Sequence, residues 1–322
     1  MKIEALKEKW EVIENTDLVS GYRSIILDPT CFPEFYIGLN DQGMRCLILK
    51  IPNEFKVNCN VFDKEKISLA YFSEKNYIVL MLHDSAYFEL FDELIMSLHT
   101  SIERIPEVNV YLREFFKTLS KWIQFFEDTS KIRLSSDQVQ GLFGELYYLR
   151  SILLSEMENE LLAGLRSWQG PFDRGHDFVF DSKNIEVKTK VLGKVGVSIS
   201  SEFQLDGELG KEHQLLVISV RKDVITGQSI KDLAFHIRDI ASAQLVDISI
   251  FLLALKQKNL TFSNIHEYDN LRYVFIESQA YDCMKEGFPR IVRSKLDKSI
   301  SHVSYELNLT KLSDFIVSEE RL

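Results

Sequence analysis

Apolar residues recur at two spacings along this chain. A three-four spacing over Phe88, Phe91, Leu94, Ile95, Leu98 and Ile102 predicts a helix that Pro106 closes. The same spacing over Leu112, Phe115, Phe116, Leu119, Trp122, Ile123 and Phe126 predicts a second helix from Val110 to Phe126. Ser135-Ser136-Asp137 caps a third, which runs to about Glu158. Residues 2–16 predict a short N-terminal helix. From Tyr22 to Leu80 the runs are mostly β. Phe35–Leu39 and Met44–Leu49 flank the polar turn Asn40-Asp41-Gln42-Gly43, a hairpin signal, and Tyr77–Leu82 is a further strand.

Beyond residue 130 the pattern alternates. Strands are predicted at 177–180, 185–191, 196–200, 214–220, 246–253, 272–277 and 301–308, with helices at 137–157 and about 229–243. Such alternation predicts an α/β core with a mixed sheet. The expected organisation is a separate β-rich α+β N-terminal domain over 1–130, for partner or DNA interaction, and a second domain over 131–322.

A length of 322 residues agrees with two domains. With 45% hydrophobic residues, 14 Gly and 6 Pro, disordered and fibrous classes are excluded. The charged start lacks an apolar run of secretory type. The longest apolar runs are short, as in Ile248–Leu255 with Ser249 inside it, so no membrane span is expected. Cys31, Cys46, Cys59 and Cys283 form no CxxC pair and read as reduced thiols, which predicts a cytoplasmic protein. The net charge of −10 argues against a passive nucleic-acid coat but leaves a nuclease with a local basic groove open. The acidity is even: residues 1–133 hold 16 basic and 21 acidic side chains, and 134–322 hold 22 and 27.

The informative stretch is Gly175-His176-Asp177-Phe178-Val179-Phe180-Asp181-Ser182-Lys183-Asn184-Ile185-Glu186-Val187-Lys188-Thr189. Two β-rich runs flank a polar turn. Alternate strand residues share a face, so Asp177, Glu186 and Lys188 lie together while Phe178, Phe180, Ile185 and Val187 fill the core. A turn centred on Ser182–Lys183 sets Asp177 opposite Lys188. Asp177, Glu186 and the carbonyl of Val187 make a hard oxygen site suited to Mg²⁺ or Mn²⁺. Such an ion acidifies a water and stabilises charge on a phosphate. Lys188 beside it orients that water or neutralises the phosphate; the neighbouring carboxylates favour its charged form, so a base role fits less well. An ordinary exposed hairpin explains the same spacing.

Two further features bear on that choice. In Gly141-Leu142-Phe143-Gly144-Glu145-Leu146, Glu145 sits beside an apolar helical stripe, and a carboxylate there needs a partner. Two helix-interior glycines suggest a close approach. A rim Glu paired with Lys or Arg is the alternative. In Val197-Ser198-Ile199-Ser200-Ser201-Glu202-Phe203-Gln204, Ser200 or Ser201 can cap a helix and Gln204 then points back at the site; an ordinary cap and a solvated Gln fit equally.

Gly141–Leu146, Trp168-Gln169-Gly170-Pro171, His176-Asp177-Phe178 and Ile185-Glu186-Val187-Lys188-Thr189, in this order, resemble a bacterial PD-(D/E)xK-motif family first catalogued as a domain of unknown function (DUF4420), whose members occur beside phage-defence and restriction-type genes. The resemblance implies a restriction-endonuclease-like mixed sheet flanked by helices. It implies Asp177 and Glu186 as metal ligands, Lys188 as catalytic lysine, Glu145 as helix carboxylate and Gln204 as the glutamine that follows the motif. His176 stands where the classical proline would, and is either a phosphate contact or a packed or solvated side chain. The expected function is a Mg²⁺-dependent (or Mn²⁺-dependent) DNA endonuclease of an anti-phage or restriction-type system, with DNA and other defence subunits as partners. The alternative is a catalytically silent DNA-binding or scaffold subunit that keeps the fold. No GxxxxGK[ST] loop, G-x-S-x-G elbow or HExxH pattern occurs, so no nucleotide cofactor is expected. Arg174, Lys183, Lys190 and Lys194 are the expected phosphate-gripping cluster.

Overall fold

The computed structural model describes residues 1, 3–15, 23–57, 61–127, 133–155, 160–172, 175–208 and 210–321. Cys59, Arg174 and the expected helix end near Glu158 lie outside them. The chain divides into two compact units. The first is Met1–Thr129 with Ser242–Ser249 and Thr261–Ser263; the second is Ser130–Ala241 with Ile250–Leu260 and Asn264–Leu322.

The first unit opens with helix α1 (Ile3–Glu14), whose Leu6, Trp10 and Ile13 are buried. Strands β1 (Arg23–Ile26), β2 (Glu34–Leu39), β3 (Arg45–Lys50), β4 (Phe62–Asp63), β5 (Ile67–Phe72) and β6 (Tyr77–Leu82) follow, then helices α2 (Phe88–Ile102) and α3 (Val108–Ile123). The sheet is antiparallel, in the order β1-β2-β3-β6-β5-β4. The expected β2–β3 hairpin forms with Leu39 across from Arg45. Its turn is held by Asn40 Oδ1, which accepts from the amides of Gln42 at 3.0 Å and Met44 at 2.8 Å. Gly43 takes a φ of 76°, where a side chain would be strained.

The second unit contains helices α4 (Ser136–Ser155) and α5 (Leu161–Ser167), strands β7 (Phe178–Val179), β8 (Lys183–Val191), β9 (Gly196–Ile199) and β10 (Glu212–Lys222), all but the ends nearest residues 242–249 of helices α6 (Ile230–Ala243) and α7 (Ser249–Gln257), and strands β11 (Tyr273–Asp282), β12 (Tyr305–Asn308) and β13 (Ile316–Arg321). Seven α-helices are thus present among the described residues. The main sheet runs β13-β11-β10-β8-β7, and β9 pairs with β12 apart from it. Only β8 and β10 are parallel, so the sheet is mixed as expected.

α4 starts at a reciprocal cap: the Ser135 amide donates to Gln138 Oε1 at 2.8 Å, and the Gln138 amide donates to Ser135 Oγ at 3.3 Å. The helix lies on the sheet through aromatic pairs. Phe143 meets Tyr273 at 5.0 Å and Tyr147 stacks on Phe275 at 4.7 Å between ring centroids. Such pairs contribute about 0.5–1.5 kcal/mol each beyond their area.

The strand expected at 246–253 is a helix instead, α7. Ile248, Phe251, Leu252 and Leu255 are buried at helical spacing. The Ser249 amide donates to Asp247 Oδ1 at 3.0 Å, which caps the start. At the other end Leu260 N donates to Leu255 O and Asn259 N to Lys256 O, with Asn259 at φ 58°, a Schellman stop.

Candidate active site

β8 sorts its side chains by parity. Thr189 faces α4, where a Cβ on Gly144 would overlap Thr189 Oγ1. Gly144 therefore permits the close approach that brings α4 onto β8. Gly141 has open space around its missing Cβ, so a side chain there is not what the approach excludes; its carbonyl accepts from Thr189 Oγ1 at 3.5 Å. Glu186 and Lys188 take the opposite face. Their register partners on β10, Leu215 and Val217, belong to the core built with Val197, Ile199 and Leu205.

The β7–β8 register differs from the expectation. Phe178 pairs with Ile185 and Val179 with Asn184, because Phe180 N donates to Lys183 O and the turn centres one position earlier. Asp177 consequently stands across from Glu186 rather than Lys188. Phe178, Ile185 and Val187 are buried, but Phe180 is only half-buried, with Lys183 Nζ 5.3 Å from its ring centroid.

Asp177 is fixed through backbone and side chain. Its carbonyl accepts from the amides of Gln169 at 2.8 Å and Gly170 at 3.0 Å. Its Oδ2 accepts from the Val187 amide at 2.8 Å. Glu145 arrives from α4, and its Oε2 accepts from Trp168 Nε1 at 2.8 Å. Glu186, 2% exposed in its side chain, lies 2.7 Å from Lys188 Nζ. Lys188 also donates to Gln204 Oε1 at 3.3 Å, and the same oxygen accepts from the Ser200 amide at 2.7 Å. Asp177, Glu145, Glu186, Lys188 and Gln204 are thus brought together. Asp177, Glu186, Gln204 and His176 border a cavity of about 280 Å³.

Burial, then the Asp177 charge, pushes Glu186 up to about 8 despite Lys188 beside it. Burial and Asp177 likewise push Glu145 up to about 7. Asp177 is raised by burial, against the pull of Lys188 and the Val187 amide. Burial acts to lower Lys188, but the charges of Glu186 and Asp177 outweigh it and hold the amine protonated. Three carboxylates around one ammonium leave uncompensated negative charge, which a divalent cation would neutralise.

The residues fit such an ion. An ideal Cβ on Gly170 would stand 2.6 Å from Asp177 Oδ1 and 3.1 Å from Glu145 Oε2, so both oxygens border one cradle left open by the glycine. The N–H and carbonyl of an extended residue project to the same strand edge, so the Val187 carbonyl lies on the Asp177 side. The donors are hard oxygens, which suit Mg²⁺ or Mn²⁺ and leave waters in place. The three carboxylates do not all converge, because Glu186 turns to Lys188. Among the described residues, the group of three whose ligand atoms lie within 4.8 Å of one another is Asp28, His99 and Glu103 in the first unit.

Other expectations need correction. Residues 202–205 form turns, not a capped helix; the Phe203 amide donates to Ser201 Oγ at 3.4 Å. His176 needs none: the packed reading holds, since it is buried and its ring lies 4.5 Å from that of His213, and burial lowers its pKa. The described members of the expected basic cluster do not gather. Lys183 has the opposite strand parity and borders a different cavity with Tyr148 and Gln214; Lys190 is buried; Lys194 lies beyond the far end of β8. A cation with no sequence motif does act here. Lys258, at the end of α7, draws down both Glu145 and Asp177. Trp168 and Gly170 stand within a recognisable motif, but their tasks, holding Glu145 and leaving the cradle, emerge only in three dimensions.

No helix among the described residues is long and apolar enough to cross a membrane. No curated protein and no solved structure matches the chain. A family model matches residues 6–310, nearly the whole length: the chain belongs to DUF4420, a family of candidate PD-(D/E)XK members, a class that typically uses divalent metals.

Proposed function

We propose that this protein is a metal-dependent DNA endonuclease of a bacterial anti-phage or restriction-type system. The observation that carries this reading is the joining of Asp177, Glu186 and Lys188 at one strand pair, with Glu145 reaching the same cradle from α4. Asp177, Glu186 and the Val187 carbonyl would hold Mg²⁺ or Mn²⁺. When bound, the ion supplies Lewis-acid polarisation of the phosphate and an acidified water. The chain's own residues then have distinct tasks. Asp177 is held in place from the backbone, so its free oxygen needs no reorganisation. Lys188 carries a permanent charge, restrained by Glu186 and Gln204, to offset charge that builds on the phosphate. Glu145, fixed by Trp168, lies where it can accept a proton from a water in the cradle.

The net charge of −10 and the dispersal of the expected lysines support weak intrinsic DNA affinity and recruitment by other subunits. Plasmid, linear duplex and single-stranded DNA, each incubated with the purified chain under Mg²⁺, Mn²⁺ and chelator, test the reading. Cleavage that needs the metal is the expected result. A chain that binds DNA but cleaves nothing under any of these conditions is a scaffold subunit instead.

A further inference from the structure

We infer that the cavity at Asp177 and Glu186 takes a DNA strand with an unpaired base beside the scissile phosphate. Phe203 is the surface on which that base stacks, and the loop of residues 285–300 is the cationic wall along the strand. The inference rests on the nuclease reading of that cavity. Phe203 borders it together with Asp177, Glu186 and Gln204, and 52% of the residue is exposed. The ring thus stands open to water at the mouth of a carboxylate-lined cavity, outside the core.

The turn that presents this ring is held on both sides of it. Glu202 and Leu205 are buried. Glu202 Oε2 accepts from the Val303 amide at 3.1 Å, and its Oε1 lies 3.6 Å from the Arg293 guanidinium. The Leu205 carbonyl accepts from Arg290 Nη1 at 2.9 Å. The Phe203 carbonyl itself accepts from the Asp206 amide at 3.1 Å. Gln204, next in sequence, is the residue that joins the Ser200 amide to Lys188. The same pinned turn therefore restrains Lys188 and sets Phe203 at the rim.

The anchors of the turn belong to a basic stretch. Residues 285–300 hold Lys285, Arg290, Arg293, Lys295 and Lys298 against Glu286 and Asp297, in a chain of net charge −10. Arg293 donates from Nη1 to the Ile300 carbonyl and from Nη2 to the Asp297 carbonyl at 2.9 Å. The 297–300 turn thus closes around the guanidinium that faces Glu202, and it carries the exposed Lys298. Asp297 does not cancel that charge freely, because its Oδ1 accepts from the amide and hydroxyl of Ser299 at 2.9 and 2.6 Å. An aromatic face for a base beside cations for phosphates is how proteins bind single strands. In an intact duplex the bases stack on one another, and a base reaches such a ring only when it is unpaired or extruded. The cations that the dispersed lysines of β8 do not supply are therefore provided from the 285–300 loop.

The test uses the full-length chain with Ca²⁺ offered to the oxygen site. Binding is read by the anisotropy of a fluorescein-labelled oligothymidylate, alone and annealed to oligoadenylate. The unaltered chain should bind the single strand more tightly than the duplex. Phe203→Ala should weaken single-strand binding about 5- to 100-fold, the loss of one base–aromatic stack, and leave duplex binding unchanged. Phe203→Trp should keep the affinity, and its added indole emission should be quenched by the single strand, which a purely structural ring would not show. Lys295→Ala combined with Lys298→Ala should make the slope of log affinity against log salt shallower by about 1.4, as for two phosphate contacts on a single strand. Wild-type affinity in Phe203→Ala, equal losses on both forms of DNA, an unquenched Phe203→Trp or an unchanged salt slope overturns the inference. A gel of the same strand under Mg²⁺ reads cleavage separately, so a chain that stacks the base but cuts nothing counts against the nuclease reading alone.

Discussion

The indole of Trp168 and the carboxylate of Glu145 meet in a 2.8 Å hydrogen bond, N–H to Oε2, beside the Asp177 carboxylate. Twenty-three residues separate the two partners, and the contact fixes where the α4 carboxylate points. Trp168→Phe should keep the packing against Phe251 but free Glu145. Positioning partners of this kind typically matter by about 10–100-fold. Mn²⁺ affinity, read by calorimetry, is expected to fall by about that factor while the melting temperature changes little. Unchanged affinity would remove Glu145 from the metal's surroundings.

Gly170→Ala asks whether the cradle is used. The added methyl carbon would lie 2.6 Å from Asp177 Oδ1 and 3.1 Å from Glu145 Oε2, so the carboxylates must move apart. The expected outcome is loss of Mn²⁺ binding in calorimetry with folding retained. Wild-type binding by Gly170→Ala places the ion elsewhere.

The raised carboxylates predict a pH dependence of definite sign. Glu186 moves from an ordinary 4.5 up to about 8 in the fold. Between those values the folded state holds more protons than the unfolded one, so the associated stability is present at low pH and lost as pH rises through about 8. Without metal, the melting temperature should fall by a few degrees between pH 6 and pH 9. Saturating Mn²⁺ should abolish that fall and release protons on binding, most visibly near neutral pH. A metal-free melting temperature that rises over this range contradicts the assignment.

What the sequence makes legible, and what it hides, follows from range. Period-two alternation places Asp177, Glu186 and Lys188 on one face for either of two turns whose centres differ by one whole position, so that grouping is readable. Which residue faces Asp177 depends on a one-residue choice of turn, and Asp181–Ser182–Lys183 allows either. The run 246–253 is apolar enough for a buried strand or a buried helix; only the spacing of Ile248, Phe251, Leu252 and Leu255 decides, and Ser249 obscures it. Lys258 carries no local signal, because its place at the site is set by where α7 stops. The short motifs Gly141–Leu146, Trp168–Pro171 and Ile185–Thr189, in this order, carry the resemblance to the family whose model matches residues 6–310.

Lys188→Ala separates chemistry from binding. Lys188 pairs with Glu186 but is not an oxygen donor. DNA cleavage should drop by at least about 100-fold, the scale of losing one stabilising group for developing charge. Mn²⁺ should still bind. A Lys188→Ala protein that cleaves at the wild-type rate excludes the lysine from the reaction.

Glu186→Gln, compared with the wild type in a Mn²⁺-supported DNA cleavage assay, offers the most direct test of this site as a nuclease centre. The substitution keeps the side chain's shape, and removing one of three clustered carboxylates should leave the metal-free fold as stable or more so. The wild type should cleave, and Glu186→Gln should be inactive at an equal or higher melting temperature. Full cleavage by Glu186→Gln, or a wild type inert under both Mg²⁺ and Mn²⁺ on every DNA form, would contradict it.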